Sequence, residues 1–341
     1  MIDRDPGLQD NTGNTQNNEF RGTVTNYDIF NGDADGICAL VQLRLAEPRK
    51  AQLVTGVKRD INLLKQVDAQ AGDRLTVLDI SMDKNRDDLH RALNAGAEVF
   101  YVDHHFAGEV PAFASLRSMI NEAPDVCTSL LINHYLRGAH VNWGIVGTFG
   151  DNLKKTALGM AKNTQLNDEQ LGLLERLGIY INYNGYGSDI TELYFHPAEL
   201  YQLASEYANP LDFISAGAHA FERLETGYHA DLSLAQSVPP LTVTDAIAVF
   251  ELPDMPWARR VGGVFSNDLT NQNPDRAHAV ITAKPNGNYL VSLRAPLNNK
   301  QGAATLCRQF PTGGGREAAA GINDLPADML EQFINLFRQA Y

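Results

Sequence analysis

The chain has 341 residues, which fits two ordinary domains better than one, and its hydrophobic content of 44% is enough to build their cores. Its formal net charge is −13. A protein that grips long nucleic acid normally carries a basic stripe that replaces phosphate counterions. The charge therefore argues against a long nucleic-acid track and permits a small anionic substrate held by local basic groups and metal ions.

The cysteines and the lack of long apolar runs bear on the compartment. Cys38, Cys127 and Cys307 lie far apart and form no CxxC pair, which predicts buried thiols rather than disulfides or a zinc knuckle. No apolar stretch approaches the roughly 18 residues of a spanning helix. The N-terminus also lacks the pattern of a signal peptide. We expect a cytoplasmic protein with no membrane partner.

A polar tail precedes an alternation of strands and helices. Residues 1–22 are rich in Asn, Gln, Asp and Gly, which predicts a disordered tail. Residues 23–210 are expected to form a doubly wound parallel sheet with right-handed crossovers. Its strands are predicted at 27–30, 51–57, 74–80 and 98–103. Its first helices are predicted at 36–46, 61–69, 84–93 and 127–136.

The rest of the chain predicts a linker helix and a smaller α/β domain. The helical pattern over 211–238 ends at Pro239 and Pro240, because proline breaks a helix. Residues 239–341 would then form the second domain, with the active site in the cleft between the two. Its predicted elements are strands at 245–252, 277–283 and 288–295, a Gly-rich loop at 312–321 and a helix from 327 to 338.

Four acidic motifs lie along the first 151 residues. They are NGDADG (Asp33, Asp35), VLDIS (Asp79), YVDHH (Asp103, His104, His105) and FGDN (Asp151). The first three each follow a predicted strand, and the carboxyl ends of parallel strands meet at one edge of a sheet. Each Asp alone could be a turn or cap residue. Together, with almost no basic residues among them, these groups repel one another unless cations lie between them, which predicts a metal site.

The residue types suit hard divalent cations. Mn²⁺ and Mg²⁺ favour carboxylate oxygen, and Mn²⁺ also accepts imidazole. Asp33 and Asp35 are spaced to point at neighbouring ions, and Asp79 could bridge both. His104 would supply a nitrogen ligand, and Asp103 could orient an imidazole from behind. Two ions about 3.5–4 Å apart would clamp a phosphoryl group and lower the pKa of a bridging water.

These motifs resemble, in order, the four motifs of the DHH phosphoesterase family, which includes RecJ-like and nanoRNase-like proteins. SLRA at Arg294 and GGGREAAAG at 313–321 are similar to its DHH-associated C-terminal domain. The resemblance covers nearly everything from residue 26 onward. It implies Mn²⁺ or Mg²⁺, as two ions, and catalytic roles for Asp79, His104 and His105, the last contacting phosphate or assisting protonation. The metal ligands that it implies are Asp33, Asp35, Asp79, His104 and Asp151.

The chain departs from the family pattern at two positions. Many members place a metal-binding His four residues before the first Asp, and this chain has Ile29 there. The loop without that His resembles the loop of the RecJ exonuclease branch. The first metal site would then be weaker or bound through water. Arg316 stands where the family often has His; arginine suits a phosphate but cannot transfer a proton.

The Gly-rich loop and two smaller signals leave alternatives open. Gly313, Gly314 and Gly315 predict backbone N–H groups close to an anion, with the Ala-rich segment opening a helix, or else a structural turn. Arg294 and Arg316 could hold a second phosphate or a 3′ end. Thr128 and Ser129 could face the metals or simply cap a helix. Tyr183 and Tyr186 could hold a nucleobase or simply pack at a helix end.

We therefore expect a divalent-metal-dependent phosphodiesterase that uses a metal-activated water. Its substrates would be short oligonucleotides or small phosphorylated nucleotides, as for an exonuclease. Alternatives are an exopolyphosphatase-like or phosphomonoesterase activity, and a non-catalytic regulatory protein that binds nucleotides. The sequence leaves oligomer formation open.

Overall fold

A computed structural model of the chain describes residues 24–216 and 218–341, so the tail predicted at 1–22 lies outside the described residues. The first of two sheets has five parallel strands in the order β2-β1-β3-β4-β5. These strands are β1 (Asn26–Phe30), β2 (Gln52–Val54), β3 (Arg74–Leu78), β4 (Glu98–Asp103) and β5 (Leu116–Ile120). Strand β5 has no counterpart in the predicted elements.

The order of the strands creates a crevice at one edge of this sheet. The chain leaves β1, adds β2 on one side, and then crosses to β3 on the other. In such sheets the crevice at the carboxyl ends of the strands, where the order reverses, is the usual ligand site. The three central strands are mostly apolar because both faces of the sheet are covered, although β1 carries the buried Asp28.

Eight helices accompany the first sheet. They are α1 (Ala34–Ala46), α2 (Arg86–Asn94), α3 (Thr128–Tyr135), α4 (Val141–Gly150), α5 (Lys154–Ala161), α6 (Asp168–Asn184), α7 (Pro197–Ser205) and α8 (Pro210–Ala216). Helix α2 covers one face of the sheet, and α1 with α4, α6 and α7 covers the other. Helix α1 is buried along most of its length, which is why its sequence is apolar all round.

A buried ion pair fixes the position of α1 over the sheet. Arg44 Nε and Nη2 lie 2.8 and 2.5 Å from the two carboxylate oxygens of Asp28 in β1. Nη2 also donates to Thr76 Oγ1 in β3 at 2.8 Å. Removing one partner of such a pair leaves an uncompensated buried charge, which costs about 3–5 kcal/mol. The pair therefore holds α1, whose first turn carries the first acidic motif, in one place relative to β1 and β3.

Two glycines let α4 approach α1 and α3 closely. A Cβ atom on Gly150 would lie 2.3 Å from Ala34 Cβ, and one on Gly147 would lie 2.1 Å from Ser129 Oγ. Neither distance is sterically allowed for a larger residue. The close packing brings Asp151, which follows α4 directly, beside the start of α1.

Helix α9 (Ala218–Gln236) leads to a second, mixed sheet in the order β10-β11-β9-β8-β7-β6. Its strands are β6 (Thr242–Val243), β7 (Ile247–Leu252), β8 (Ala277–Ala283), β9 (Tyr289–Arg294), β10 (Gly313–Gly315) and β11 (Ala319–Leu325). The helices packed on it are α10 (Pro256–Gln272), α11 (Ala303–Cys307) and α12 (Leu330–Ala340). The predicted fold class, a parallel α/β sheet joined through helices to a smaller α/β unit, is confirmed.

Three details differ from the sequence prediction. The helix predicted at 61–69 is only a short 3₁₀ turn at Leu63–Gln66, because Arg91 binds the carbonyls of Leu64 and Val67 that a longer helix would use. The linker predicted at 211–238 corresponds to α8 and α9, with Gly217 between them outside the described residues. Helix α10 lies in a segment for which no element was predicted.

Side chains from the first part of the chain contact the second sheet directly. Arg59 donates to Asn323 Oδ1 at 2.9 Å and to Ser292 Oγ at 2.8 Å. The Tyr186 ring packs so closely on α10 that a Cβ atom on Gly263 would lie 2.0 Å from it. The two parts of the chain are therefore joined by direct side-chain contacts. Among the helices that the structure describes, none is long and apolar enough to cross a membrane.

Candidate metal centre

The acidic motifs meet at the carboxyl ends of β1, β3 and β4. Asp33 caps α1 by accepting from Gly36 N at 3.1 Å, and Asp35 lies in the first turn of the same helix. Asp79 follows β3 directly with a left-handed backbone, φ 61°. That conformation is uncommon for a residue other than glycine and is concentrated at functional sites.

Helix α3 holds the two central carboxylates from above. The backbone N–H groups of Thr128 and Ser129 donate to the two oxygens of Asp35, each at 2.7 Å. The Thr128 hydroxyl donates to Asp79 Oδ1 at 3.1 Å. The first residues of α3 therefore face the acidic groups, and the residue that precedes the helix, Cys127, makes no side-chain cap. The positive end of the helix dipole favours the negative charge there.

His104 presents a free lone pair to these carboxylates. Its Nδ1 atom lies 2.7 Å from the carbonyl oxygen of Val126, which can only accept, so we assign the ring hydrogen to Nδ1. With its hydrogen on Nδ1, His104 cannot accept a hydrogen bond there from Arg316, although Arg316 Nη1 lies 3.2 Å from that atom. Nε2 lies 3.3 Å from Asp79 Oδ1 and 3.7 Å from Asp35 Oδ2. Three acceptor atoms thus face one another, and a proton or a cation must lie between them to offset their repulsion.

The electrostatics of this arrangement call for a cation. Burial raises the pKa of Asp35 well above its usual range, and repulsion from Asp79 adds to the effect. Burial and the charge of Asp33 do the same to the pKa of Asp79. Burial, with Arg316 and His105 nearby, lowers the pKa of His104, so its ring stays neutral. Buried Asp103 Oδ2 has no hydrogen-bond partner among the described residues.

The donor atoms fit a hard divalent ion. In the described part of the chain, two groups have ligand atoms within 4.8 Å of one another, and both contain His104. One group adds Asp35 and Asp151, and the other adds Asp79 and His105. Carboxylate oxygens with one neutral imidazole suit Mn²⁺ or Mg²⁺. Four residues drawn from the two groups, namely the carboxylates of Asp35, Asp79 and Asp151 together with the shared imidazole of His104, are called the acid set below.

Two basic side chains reach the acidic groups from elsewhere. Arg316, from the turn between β10 and β11, lies 3.0 Å from Asp151 Oδ2. Burial would raise the pKa of Asp151, but Arg316, His104 and Lys58 outweigh it and hold that pKa below its ordinary value. Lys58 forms an ion pair with Asp33. Sequence reasoning missed Lys58, although it follows β2 at the same edge of the sheet.

His105 and Asp103 form a second, more exposed pair. His105 Nδ1 lies 2.7 Å from Asp103 Oδ1. Burial would lower the pKa of His105, but attraction and hydrogen bonding by Asp103 raise it to about 9. Asp103 thus orients His105, whereas the carbonyl of Val126 orients His104. With 30% of its side chain exposed, His105 faces the opening of the crevice.

The residues predicted to bind phosphate do not lie together: one arginine reaches the acid set, the other is held elsewhere, and the glycines form strand β10. Arg316 reaches the acid set, whereas Arg294 is held by Asn267 Oδ1 at 2.6 Å, away from the carboxylates. The helix predicted after the glycines is wrong, because 319–325 is strand β11 and pairs with both β10 and β9. Gly313 is needed for packing, since a Cβ there would lie 1.7 Å from Cys307 O, and Gly315 has φ +132°. Gly314 faces open space.

Tyr183 and Tyr186 are packed residues rather than a base-stacking surface. Tyr183 is fully buried and donates to Asp231 Oδ2 at 2.5 Å. Tyr186 is 6% exposed and packs on α10. Both belong to the core between α6, α10 and the second sheet, so packing is the correct interpretation.

We expect Asp79→Asn to raise stability without metal and to remove stabilisation by metal. Asparagine keeps the acceptor for Thr128 but removes a charge that Asp33 and Asp35 repel. In EDTA the variant should melt at a higher temperature than the parent protein. Mn²⁺ at about 100 times its Kd should stabilise the parent protein by about 2.7 kcal/mol and the variant far less.

Differential scanning calorimetry with EDTA or Mn²⁺ measures both effects. Glu222→Gln, at an exposed position on α9, removes the same charge far from the site and is the matched control. Equal stabilisation of Asp79→Asn and the parent protein by Mn²⁺ would show that Asp79 is not a ligand.

Comparison with known proteins shows the fold of most of the chain. No protein-family model matches the sequence, and no curated protein matches it significantly. A DHH domain described as a member of the s1p family of ribosomal proteins superposes with a TM-score of 0.60 at 14% identity, over 93% of this chain and 86% of that chain.

Two further solved structures share the fold at similar coverage. The exonuclease RecJ bound to manganese gives a TM-score of 0.54 at 17% identity, over 91% of this chain and 88% of its own. The pGpG-specific phosphodiesterase PggH from Vibrio cholerae gives 0.52 at 14% identity, over 92% of this chain and 97% of its own. Across at least 91% of its length, this chain therefore has the fold of the DHH-domain proteins, as its motifs predicted.

Proposed function

We propose that this chain is a divalent-metal-dependent phosphodiesterase that hydrolyses short oligonucleotides or small nucleotides. One observation carries the proposal: Asp35, Asp79 and a neutral His104 turn acceptor atoms toward one another in a buried crevice. Buried charges of one sign are costly unless an opposite charge offsets them, and a divalent cation would do so here. The predicted alternatives, polyphosphate or monoester hydrolysis and nucleotide binding without turnover, are outcomes of the test below.

The acid set would hold the ion, which we propose to be Mn²⁺ or Mg²⁺. When bound, such an ion activates water and neutralises charge on a phosphoryl group. The hydrolysis forms a bond from water oxygen to phosphorus and breaks the P–O ester bond. The water gives up one proton, and the leaving oxygen takes one.

Residues of the chain itself would position the substrate and stabilise its charge. His105, oriented by Asp103, presents ring N–H donors at the opening of the crevice and would hydrogen-bond a phosphate oxygen or protonate the leaving oxygen. Arg316 reaches the same place from the second sheet and has a planar fork that suits phosphate. His105 would also stabilise the charge that develops on the phosphoryl oxygens.

A short substrate agrees with the distribution of charge. The basic side chains of the cleft come from both sheets, namely Lys58, Arg59, Arg294 and Arg316, while the chain as a whole carries a charge of −13. A few local cations can bind one or two phosphates but not a long track. RecJ and PggH, an exonuclease and a pGpG-specific phosphodiesterase with the same fold, support a nucleotide phosphodiester. Three buried thiols without disulfides support a reducing, cytoplasmic location.

We expect the Mn²⁺-loaded protein to release mononucleotides from short RNA or DNA or from a linear dinucleotide such as pGpG. The panel should include 3′-phosphoadenosine 5′-phosphate and polyphosphate, with chromatographic separation of the products. EDTA should stop the reaction, and Asp79→Asn should lower kcat/KM by more than about 100-fold. Glu222→Gln should leave it unchanged.

The outcomes of this panel separate the alternatives. If the protein cleaves only polyphosphate or only monoesters, the proposed phosphodiesterase activity is wrong and the corresponding alternative is right. Binding of nucleotide without any product would favour the regulatory protein.

We expect Arg316→Ala to raise KM more than it lowers kcat, because Arg316 binds phosphate in the substrate. Losing a charge-assisted hydrogen bond of about 1.5–3 kcal/mol corresponds to roughly a 10–100-fold rise in KM. Arg316→Lys keeps the charge without the fork and should fall between. Arg338→Ala, exposed on α12, is the control. Steady-state kinetics that show equal losses of kcat and kcat/KM would instead place Arg316 in transition-state stabilisation.

A further inference from the structure

Asp33 differs from the other acidic groups because both of its oxygens are already bound. Oδ1 accepts from Gly36 N at 3.1 Å and caps α1. Oδ2 accepts from the ammonium of Lys58. Among the residues that the structure describes, neither group able to hold a metal ion includes Asp33. The carboxylate that a second ion would need is therefore engaged within the protein.

Lys58 is held in this position from several sides. Its Nζ atom donates to Asn182 Oδ1 at 2.9 Å and lies 5.4 Å from the centre of the Tyr186 ring. Its backbone N–H donates to Gly185 O at 2.7 Å, and its carbonyl accepts from Asn31 Nδ2 at 3.3 Å. These contacts fix both the backbone and the ammonium of Lys58, so it is not a mobile surface lysine.

The two basic groups of the site differ in how they are attached. Arg316 belongs to the second sheet, so its contact with Asp151 ends whenever that sheet moves away. Lys58, Asn182 and Asp33 all belong to the first part of the chain. The ion pair between Lys58 and Asp33 therefore does not depend on the position of the second sheet.

The surroundings of Asp33 also lack the remaining ligands of an ion. Ile29 stands four residues before Asp33 and is completely buried among apolar side chains under the sheet. It supplies no donor atom. A divalent ion on Asp33 would in addition lie beside the ammonium of Lys58, and like charges repel.

The ionisation of the pair agrees with this geometry. Burial would lower the pKa of Lys58, but the charges of Asp33, Tyr186 and Asp151 raise it above its ordinary value. Burial would raise the pKa of Asp33, but Lys58 holds it below its ordinary value. Both shifts favour the charged forms of the pair, which the short contact between the two groups already indicates.

We propose that Lys58 takes the place of one cation in the predicted two-metal centre: its ammonium stays on Asp33, and the acid set holds a single divalent ion. The inference rests on the proposed metal centre and narrows it, because the motifs alone predict two ions. An ammonium has three donors, and two are used by Asp33 and Asn182. The third remains for an oxygen of the substrate phosphate.

The number of bound Mn²⁺ ions tests this proposal directly. We expect calorimetric titration and elemental analysis after dialysis to give one ion per chain in the parent protein. Electron paramagnetic resonance should show the hyperfine pattern of an isolated Mn²⁺ ion. Lys58→Met has a similar length without the charge and frees Asp33. Because Ile29 supplies no ligand, a second ion should bind this variant only at Mn²⁺ concentrations above those that fill the acid set, and it should then show spin coupling to the first.

Matched variants complete the test. Lys154→Met removes an exposed lysine, paired only with Glu175, and should keep one ion. Asp33→Asn keeps the cap on Gly36 and should also keep the single ion, whereas Asp35→Asn should lose it. Two coupled ions in the parent protein, or loss of the ion in Asp33→Asn, would overturn the proposal.

Failure of this inference is distinguishable from failure of the proposed function. Two ions together with phosphodiester hydrolysis would refute the role of Lys58 and leave the function intact. One ion without hydrolysis of any substrate would refute the function and leave the role of Lys58 intact.

Discussion

The central constraint on this structure is the electrostatic repulsion among acidic side chains that the fold holds close together in a buried crevice. Asp35 and Asp79 are each 1% exposed, and Nε2 of His104 lies between them as another acceptor. In water these groups would separate. Here the backbone of α3 and the hydroxyl of Thr128 hold the carboxylates in place by donating hydrogen bonds to them, and the charge that remains calls for a cation. A bound cation is the simplest means of removing that repulsion.

The rest of the fold keeps this arrangement from relaxing. The reversal of strand order places the ends of β1, β3 and β4 side by side. The Arg44–Asp28 pair fixes α1 over them, and the glycines of α4 let Asp151 approach. The left-handed backbone of Asp79 is a local strain that the surrounding structure maintains. The second sheet adds Arg316, so the charge of the site depends on residues of both parts of the chain.

Local patterns in the sequence were enough to place most of the site. Short apolar runs followed by acidic residues predict parallel strand ends at one edge, and Asp35, Asp79 and His104 meet there. Lys58 and Arg59 could have been placed by the same rule, since they follow β2. The expectation of almost no basic residues among the acidic motifs is wrong at Lys58, which pairs with Asp33.

Long-range packing was not visible in the sequence. Small residues at 313–321 suit a helix opening or a strand equally well, and only pairing with β9 makes β11 a strand. Tyr183 and Tyr186 lie in a polar, Gly-rich segment typical of a loop, yet α10 covers both. The contacts of Thr128 with Asp79 and of Arg316 with Asp151 join residues 49 and 165 positions apart. Such contacts follow from the tertiary fold rather than from any local motif.

The most direct test is anomalous diffraction from crystals of the parent protein grown with Mn²⁺. The account predicts an anomalous peak within coordinating reach of Asp35, Asp79, His104 and Asp151. A crevice that stays without a peak at saturating Mn²⁺, with Arg316 still on Asp151, would contradict it.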